Sequence, residues 1–407
     1  MIAQSPSRPV AAPAHGSPLE VFRVFLKLGL TSFGGPVAHL GYFRDELVVR
    51  RRWVDEVEYA DLVALCQFLP GPASSKVGFS LGVRRGNGLL GGLAAWIAFT
   101  MPSAVLLFAF ALGAALLRGA AAEGLLHGMK LVAVAVVAQA VWGMAKSLTP
   151  DRARAFIALA AIAVLVFVGG SYGQLSAITL GAVAGLWLCR GEVPALPGQL
   201  GFPVSRRAGA ASLFVYAVCL FLSLVTRDAG PQSIQLFDAF YRSGALVFGG
   251  GHVVLPLLQA AVVAPGWLTN EAFLAGYGVA QAIPGPLFSF AAYLGAAVIP
   301  APNGLAGATI ALVAIFLPGL LLVYGTLPFW DALRLRPNAQ AAMRGTNAAV
   351  VGILGAALYD PIWTSAVRSS RDFVLAISGF LLLTVWKAPP WVVVLLLALS
   401  GALFAVL

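Results

Sequence analysis

Long runs of apolar residues, separated by short polar segments, make up most of the chain. Runs of membrane-spanning length lie at about 88–117, 125–146, 154–170, 172–189 and 208–225. A helix needs about 20 apolar residues to cross the hydrocarbon core of a bilayer, so each run predicts a transmembrane helix. Two further apolar stretches, 20–40 and 58–83, are interrupted by glycine and proline near their centres. The pattern predicts an all-α polytopic membrane protein in which some helices are broken.

The interruptions occur in matched pairs. Residues 67–72 read Gln-Phe-Leu-Pro-Gly-Pro, and residues 281–286 read Gln-Ala-Ile-Pro-Gly-Pro. Each follows an earlier Phe-Gly-Gly, at 33–35 and 248–250. The Trp, Pro and Gly residues around these motifs recur in the same order in both halves, at a nearly constant sequence separation between counterparts. Chance similarity between apolar segments explains shared Leu and Ala, but not this order. The sequence therefore predicts an internal duplication, which is common among transporters.

Loop charge differs between the two halves. The loop at 41–57 carries four arginines, whereas its counterpart at 256–271 carries no lysine or arginine. Arg84 and Arg85 likewise have no basic counterpart at 299–303. Because positively charged loops stay in the cytoplasm, the two repeats are expected to have opposite orientation in the membrane. One additional crossing at 208–225 would produce that inversion.

The positions of the arginine-rich loops indicate whether the broken segments cross the membrane or re-enter on the same side. If both lie in the cytoplasm, the segment 58–83 between them must enter and return on the same side, turning at Pro-Gly-Pro. We interpret 20–40 in the same way, with its turn at Gly34-Gly35-Pro36. The alternative is that both segments span fully, which would move Arg84 and Arg85 outside. The re-entrant scheme places Arg368 and Arg371 outside, against the charge bias.

These features divide the chain into four parts. Residues 1–18 are rich in Pro, Ala and Ser and are expected to form a disordered cytoplasmic tail. Residues 19–190 form the first transporter repeat. Residues 191–226 comprise a linker and the extra transmembrane helix, and residues 227–407 form the second, inverted repeat.

Composition narrows the function classes. Of 407 residues, 60% are hydrophobic and only 10% are charged, whereas soluble domains carry about 25% charged residues. The net charge of +10 lies mostly in short loops, so it indicates an inner membrane protein and not a nucleic-acid partner. Cys66, Cys189 and Cys219 form no CxxC pair or His/Cys cluster, and no nucleotide-binding motif is present. No metal, cofactor or enzymatic activity is expected.

The helix breaks predict a site for an anion. Lipid cannot satisfy exposed backbone groups, so broken helices lie within protein or line a wet cavity. Half-helix N-termini carry partial positive charge and free N–H groups, and serine hydroxyls can donate to an oxyanion. Alternatively, the serines cap the half-helix and Lys76 extends to the interface. The predicted substrate-binding residues are Gly34, Gly35, Gln67, Pro70, Gly71, Pro72, Ser74, Ser75, Lys76, Gly249, Gly250, Gly251, His252, Gln281, Pro284, Gly285, Pro286 and Ser289.

Charged residues supply candidates for the pathway. Lys27 and Arg242 are matched cations in the first broken segment of each half, and intramembrane cations mark functional sites. Interfacial anchoring is the alternative for both. His252, Glu58 and Asp61 are the candidates for proton coupling, since His titrates near neutral pH and carboxylates relay protons. Structural roles remain open for all three.

The spaced motifs resemble the signature of the chromate ion transporter family in its long-chain, two-domain form. They are residues 28–36 (LGLTSFGGP), 67–75 (QFLPGPASS), 248–252 (FGGGH) and 281–286 (QAIPGP). One departure is Lys76, where related long-chain sequences often have Gln. Some members of the family are also not clearly chromate exporters.

The resemblance implies a protein of the bacterial inner membrane that exports chromate from the cytoplasm. It also implies an antiporter driven by the proton motive force and conferring chromate resistance. Sulfate, a similar tetrahedral dianion, is the expected competitor. The alternatives are a transporter or channel for sulfate or another oxyanion and, more distantly, an intramembrane enzyme. Oligomeric state and stoichiometry stay open.

Overall fold

The computed structural model describes residues 16–33, 35–114, 119–168, 170–190, 201–225, 230–247, 253–330 and 336–406. The described part of the chain is almost entirely helical and contains no strand. Its helices are α1 (Pro18–Thr31), α2 (Gly35–Phe43), α3 (Glu56–Phe68), α4 (Ala73–Arg85), α5 (Leu89–Ala114), α6 (Ala120–Leu148), α7 (Arg152–Val168), α8 (Gly170–Leu188), α9 (Arg206–Val225), α10 (Gln232–Leu246), α11 (Val254–Val262), α12 (Asn270–Ala282), α13 (Phe290–Ala297), α14 (Gly304–Thr326), α15 (Pro337–Ala357), α16 (Ser370–Thr384) and α17 (Pro390–Val406).

Several helices have the length and composition of membrane spans. Five such segments occur in the described part: Leu89–Gly113, Glu123–Leu148, Arg206–Ser223, Gly304–Phe329 and Pro337–Ala366. The chain is therefore an all-α polytopic membrane protein, as its sequence predicts. Helices α7 and α8, also predicted as spans, contain 17 and 19 residues, at the short end of the usual range.

The first Pro-Gly-Pro segment folds back on itself. Helices α3 and α4 contain 13 residues each, about 20 Å at 1.5 Å per residue, which is too short to cross a core of about 30 Å. Arg84, near the end of α4, pairs with Glu58, near the start of α3, at 2.7 Å. The two ends of the segment therefore lie on the same side of the protein.

The second Pro-Gly-Pro segment has the same shape. The amide of Ile299 donates to the carbonyl of Trp267 at 2.9 Å, so the chain returns to the level at which α12 begins. The Tyr293 hydroxyl on α13 donates to the carbonyl of Ala272 on α12, also at 2.9 Å. This turn-back geometry is what a re-entrant segment requires; the position of each segment in a membrane stays a prediction.

The two turns contact the opposite half of the chain. The amide of Gly71 donates to the carbonyl of Val247 at 2.7 Å, and the amide of Gly285 donates to the carbonyl of Ser32 at 2.9 Å. Both glycines have positive φ, +102° and +105°, a region that residues with a Cβ rarely adopt. Ser32 and Val247 directly follow the last residues of α1 and α10. Each turn therefore meets the end of a broken helix from the other half.

Close helix packing surrounds these segments. Helix α6 lies against α17, and α8 lies against α15. A Cβ at Gly128 of α6 would lie 2.2 Å from the Leu397 carbonyl oxygen, and a Cβ at Gly345 of α15 would lie 2.1 Å from that of Gly181. Such contact between backbones requires small residues, the usual basis of helix association in lipid.

Candidate functional site

The site is built around the buried N-terminus of α4. This helix begins directly after the Pro-Gly-Pro turn, and its N-cap residue Pro72 supplies no capping side chain. Ser74 and Ser75, in the first turn, are 3% and 2% exposed. The first amides of a helix have no partner within the helix and carry partial positive charge. An uncapped, buried N-terminus with two hydroxyls is therefore suited to an anion.

His39 lies against this N-terminus. Its Nδ1 is 3.3 Å from the Ser74 hydroxyl oxygen, and its ring packs edge-on against Phe99 of α5 at 5.3 Å. The side chain is 1% exposed, and its Nε2 has no hydrogen-bond partner among the described residues. The imidazole therefore touches the first turn of α4 through one nitrogen and keeps the other available for hydrogen bonding.

Helix α5 and the second Pro-Gly-Pro turn supply two more hydroxyls. The Ser103 oxygen lies 2.9 Å from the Thr100 carbonyl oxygen and 2.7 Å from the Ser289 hydroxyl oxygen. A hydroxyl has one proton, so Ser289 donates to Ser103 when Ser103 donates to Thr100. Gly285 lies beside them, since a Cβ there would be 2.8 Å from the Ser103 oxygen. Residues from both halves of the sequence meet at this point.

We name this group of polar residues the hydroxyl cluster. All its members are at most 3% exposed. Four of its polar atoms have no hydrogen-bond partner in the described structure: Ser32 Oγ, His39 Nε2, Ser75 Oγ and Thr100 Oγ1. Each buried polar group left unpaired costs about 1–3 kcal/mol, and a polar ligand would offset that cost. The hydroxyl cluster comprises Ser32, His39, Ser74, Ser75, Thr100, Ser103 and Ser289.

Lys76 is completely buried beside the cluster. Its Nζ donates to the carbonyl oxygens of Leu69 at 2.5 Å and Pro70 at 2.9 Å, so the ammonium caps the C-terminal end of α3. It forms no ion pair with an acid in the described part of the chain. Lys76 therefore does not extend to the interface. When protonated, it adds positive potential near the start of α4 without lying in the cluster.

The other predicted binding residues have different positions. Pro70, Pro72, Pro284 and Pro286 form the turns that place the cluster. Gln67 is exposed, whereas the side-chain nitrogen of Gln281 is buried without a partner among the described residues. Gly35 begins α2. Gly34, Gly249, Gly250, Gly251 and His252 lie outside the described residues.

The charged candidates do not reach the cluster. Lys27 is half exposed and pairs with Glu46 at 3.1 Å. Burial raises the pKa of Glu46, but the hydrogen bonds and the positive charges of Arg51 and Lys27 together lower it by more, so its pKa lies below the ordinary value. Arg242 donates to the carbonyl of Ser223 at 3.1 Å and lines a separate cavity of about 230 Å³.

Of the proton-coupling candidates, the structure describes the side chain of Glu58, which lies away from the cluster. Glu58 is paired with Arg84 at the protein's arginine-rich face. The side chain of Asp61 lies outside the described residues. His252 lies outside the described residues, and the titratable member of the cluster in the described part of the chain is His39.

Four members of the cluster were missed as site residues in the sequence: Ser32, His39, Thr100 and Ser103. A signal for Ser103 was present, because it follows Pro102, whose counterpart is Pro318. At the matched positions the second half carries Phe316 for Thr100 and Phe288 for Ser74, and these two rings pack 5.9 Å apart. The second half therefore has aromatic rings where the first half has Thr100 and Ser74, although it contributes Ser289 to the cluster.

Comparisons with known proteins show which family the chain resembles. A family model described as "Chromate transporter" matches residues 19–186 and 234–402. A chromate transport protein of Pseudomonas aeruginosa is 30% identical over 95% of this chain and 92% of its own length. One of Cupriavidus metallidurans is 28% identical over 87% and 86%. A probable chromate transport protein of Synechococcus elongatus is 26% identical over 95% of both chains. No solved structure matches.

Proposed function

The chain belongs to the chromate transporter family, in its long-chain, two-domain form, and we propose that it is a secondary transporter that exports chromate from the cytoplasm. The observation that carries the proposal is the hydroxyl cluster: the buried N-terminus of α4 has no side-chain cap, and Ser75 Oγ and His39 Nε2 at that end have no hydrogen-bond partner among the described residues. The N-terminus, the Pro-Gly-Pro turns and the hydroxyls together form a neutral site rich in donors.

Chromate fits the chemistry of this site. It is a tetrahedral dianion, so it can accept hydrogen bonds from several directions. Serine and threonine hydroxyls donate such bonds without a permanent charge, and the dipole of α4 favours the negative ligand. The hydroxyls and the helix N-terminus select an oxyanion. Its release does not require an ion pair with a charged side chain to be broken, because the site is neutral.

Membrane energetics support the outward direction. One elementary charge crossing a potential of 100 mV changes its free energy by about 2.3 kcal/mol. A dianion leaving a negatively charged interior therefore gains roughly twice that amount per 100 mV. Exchange for an incoming proton adds to the gain. The arginine-rich loops support placing residues 41–57, and with them the N-terminus, on the cytoplasmic side of the inner membrane.

His39 is the residue that we assign to proton coupling. Among the described residues it is the titratable member of the hydroxyl cluster, with Nδ1 at 3.3 Å from the Ser74 hydroxyl oxygen. An anion in the cluster favours protonation of a neighbouring imidazole, and loss of the anion favours release of the proton. Alternating access would follow from movement of the two inverted repeats about the interlocked turns. Chromate export of this kind confers chromate resistance.

Inverted membrane vesicles test the proposal. Labelled chromate should accumulate in vesicles that carry the protein when a proton gradient is imposed, and a protonophore should abolish that accumulation. Uptake no greater than in empty vesicles would contradict the proposal. Flux that continues only downhill would indicate a channel. Stronger inhibition by sulfate than by unlabelled chromate would identify sulfate as the preferred ion.

A further inference from the structure

A large cavity opens at the far end of α5 from Arg85. Its volume is about 980 Å³, and its wall includes Ala111, Lys130 and Tyr293. Ala111 lies 22 residues beyond Leu89, where α5 begins, a distance of about 33 Å along the helix. That distance is close to the thickness of the hydrocarbon core. The cavity and the arginine-rich loops are therefore on opposite faces of the protein.

Lys130 is the buried cation in the wall of this cavity. It lies ten residues after the first residue of α6, about 15 Å along the helix from that end, and only 7% of it is exposed. The described structure contains no hydrogen bond or ion pair of its ammonium. A buried, unpaired cation at such depth is costly, which makes it a candidate for function.

Two of the three acidic residues in the cavity wall, Asp372 and Glu271, have other direct partners, and the third is Glu123. The Nε2 atom of His127, on α6, lies 2.8 Å from a carboxylate oxygen of Asp372, on α16. Asp372 is therefore paired with His127. The second Asp372 oxygen accepts from the amide of Arg368 at 3.0 Å. The Arg368 guanidinium lies 3.7 Å from Glu271. Glu271 attracts the Lys130 ammonium and Arg368 repels it, but neither forms a hydrogen bond or ion pair with it among the described residues, so an anion entering the cavity would be its first direct partner.

Two helices that pack against each other, α5 and α13, lead from the cavity to the hydroxyl cluster. Ser103 and Ala111 are eight residues apart on α5, about 12 Å. Ser289 directly precedes α13, and Tyr293 follows four residues later, about 6 Å away. The rings of Phe110 and Tyr293 stack across the seam at 5.6 Å. This aromatic pair lies at the end of the cavity from which α5 and α13 lead to the cluster.

We propose that this cavity is the outer vestibule of the transport path and that Lys130 binds the oxyanion there as it leaves. The proposal rests on the proposed function and assigns a second site to the same ion. The ammonium offers a point charge with three donors, and a cavity of this size lets the anion arrive partly hydrated. The stacked Phe110 and Tyr293 rings form the barrier that the ion passes between the two sites.

The test compares affinities on the two faces. Exchange of labelled chromate into right-side-out vesicles reports the outer-face KM, and uptake by inverted vesicles reports the inner-face KM. Lys130→Gln should raise the outer-face KM about tenfold, the change expected for loss of one charge-assisted contact, and leave the inner-face KM unchanged. Lys130→Arg should retain near-normal values. Lys146→Gln, at the other end of α6 where Lys146 stacks on Trp142, is the matched control.

A labelling experiment keeps the proposal testable if Lys130→Gln does not fold. Ala111→Cys, in a protein whose native cysteines are replaced, should react with a membrane-impermeant thiol reagent added from outside. Sulfate, used because chromate oxidises thiols, should slow that reaction. An unchanged outer-face KM in a folded Lys130→Gln protein, or no reaction at Ala111→Cys, would overturn the vestibule. A wild-type protein that moves no chromate would instead overturn the proposed function.

Discussion

Gly71 and Val247 are joined by a backbone hydrogen bond of 2.7 Å, although one lies in the first Pro-Gly-Pro turn and the other at the end of a helix in the second half. Gly285 and Ser32 form the matching bond at 2.9 Å. Because both bonds use backbone atoms, they are insensitive to side-chain changes elsewhere in the turns. They join the two broken segments next to the hydroxyl cluster, so a movement of one turn displaces the other.

Alanine at Gly71 should destabilise the protein more than alanine at Gly88. Both glycines have positive φ, +102° and +113°, which costs a residue with a Cβ roughly 1–2 kcal/mol. A Cβ at Gly71 would also lie 2.9 Å from the Gly319 Cα, whereas a Cβ at Gly88 would meet nothing within 4 Å. The Tm of the purified proteins in detergent measures the difference. Equal losses in Tm would show that the contact with Gly319 is unimportant.

The double change Pro70→Ala and Pro72→Ala should impair transport much more than expression. Proline lacks an amide donor and disfavours helix at the residue before it, so these residues keep α3 and α4 apart. With alanine, α3 can extend into the turn and shift the uncapped N-terminus of α4. We expect chromate uptake to fall about tenfold, equivalent to about 1.4 kcal/mol.

The control for the proline change is Pro389→Ala, at an exposed position before α17, which should leave uptake unchanged. Immunoblots of the membranes fix the amount of each protein. Normal chromate resistance of the double variant at normal protein level would refute the role of the turn.

Ser103→Ala should raise the KM for chromate more than it lowers the maximal rate. The change removes the partner of the Ser289 hydroxyl, 2.7 Å away in the wild type, and one donor to the ion. Loss of a hydrogen bond to a charged ligand is worth about 1.5–3 kcal/mol, or at least about tenfold in affinity. Ser147→Ala is the matched control, because Ser147 is exposed and bonds only to carbonyls of its own helix. If both variants gave the wild-type KM, Ser103 would not bind the ion.

Lys27→Ala and Arg242→Ala should not be equivalent, despite their matched positions in the sequence. Lys27 is half exposed, and an exposed ion pair contributes about 0–1 kcal/mol; Glu46 also keeps Arg51 as a partner. Arg242 bonds to the Ser223 carbonyl, and so joins α10 to α9. We expect a larger fall in both Tm and uptake for Arg242→Ala, with recovery in Arg242→Lys. Equal effects of the two alanine changes would contradict this account.

The sequence predicted the broken helices and their turns because glycine and proline act locally, through φ and the missing amide donor. It also predicted Ser74, Ser75 and Ser289 as neighbours of the turns. It could not predict that Ser103 and His39 join them, because those contacts depend on how α2 and α5 pack against α4. Lys76 shows the same limit: proximity in sequence suggested a ligand, whereas its ammonium turns back to the carbonyls of Leu69 and Pro70.

A structure of the protein with chromate bound tests the central claim most directly, since chromium can be located by its anomalous scattering. We predict one chromium position within hydrogen-bonding reach of the Ser74 hydroxyl, the Ser103 hydroxyl and the first amides of α4. Substituting Ser74→Ala together with Ser103→Ala should remove that peak. A fully occupied chromium site elsewhere, with the hydroxyl cluster empty at saturating chromate, would contradict the account.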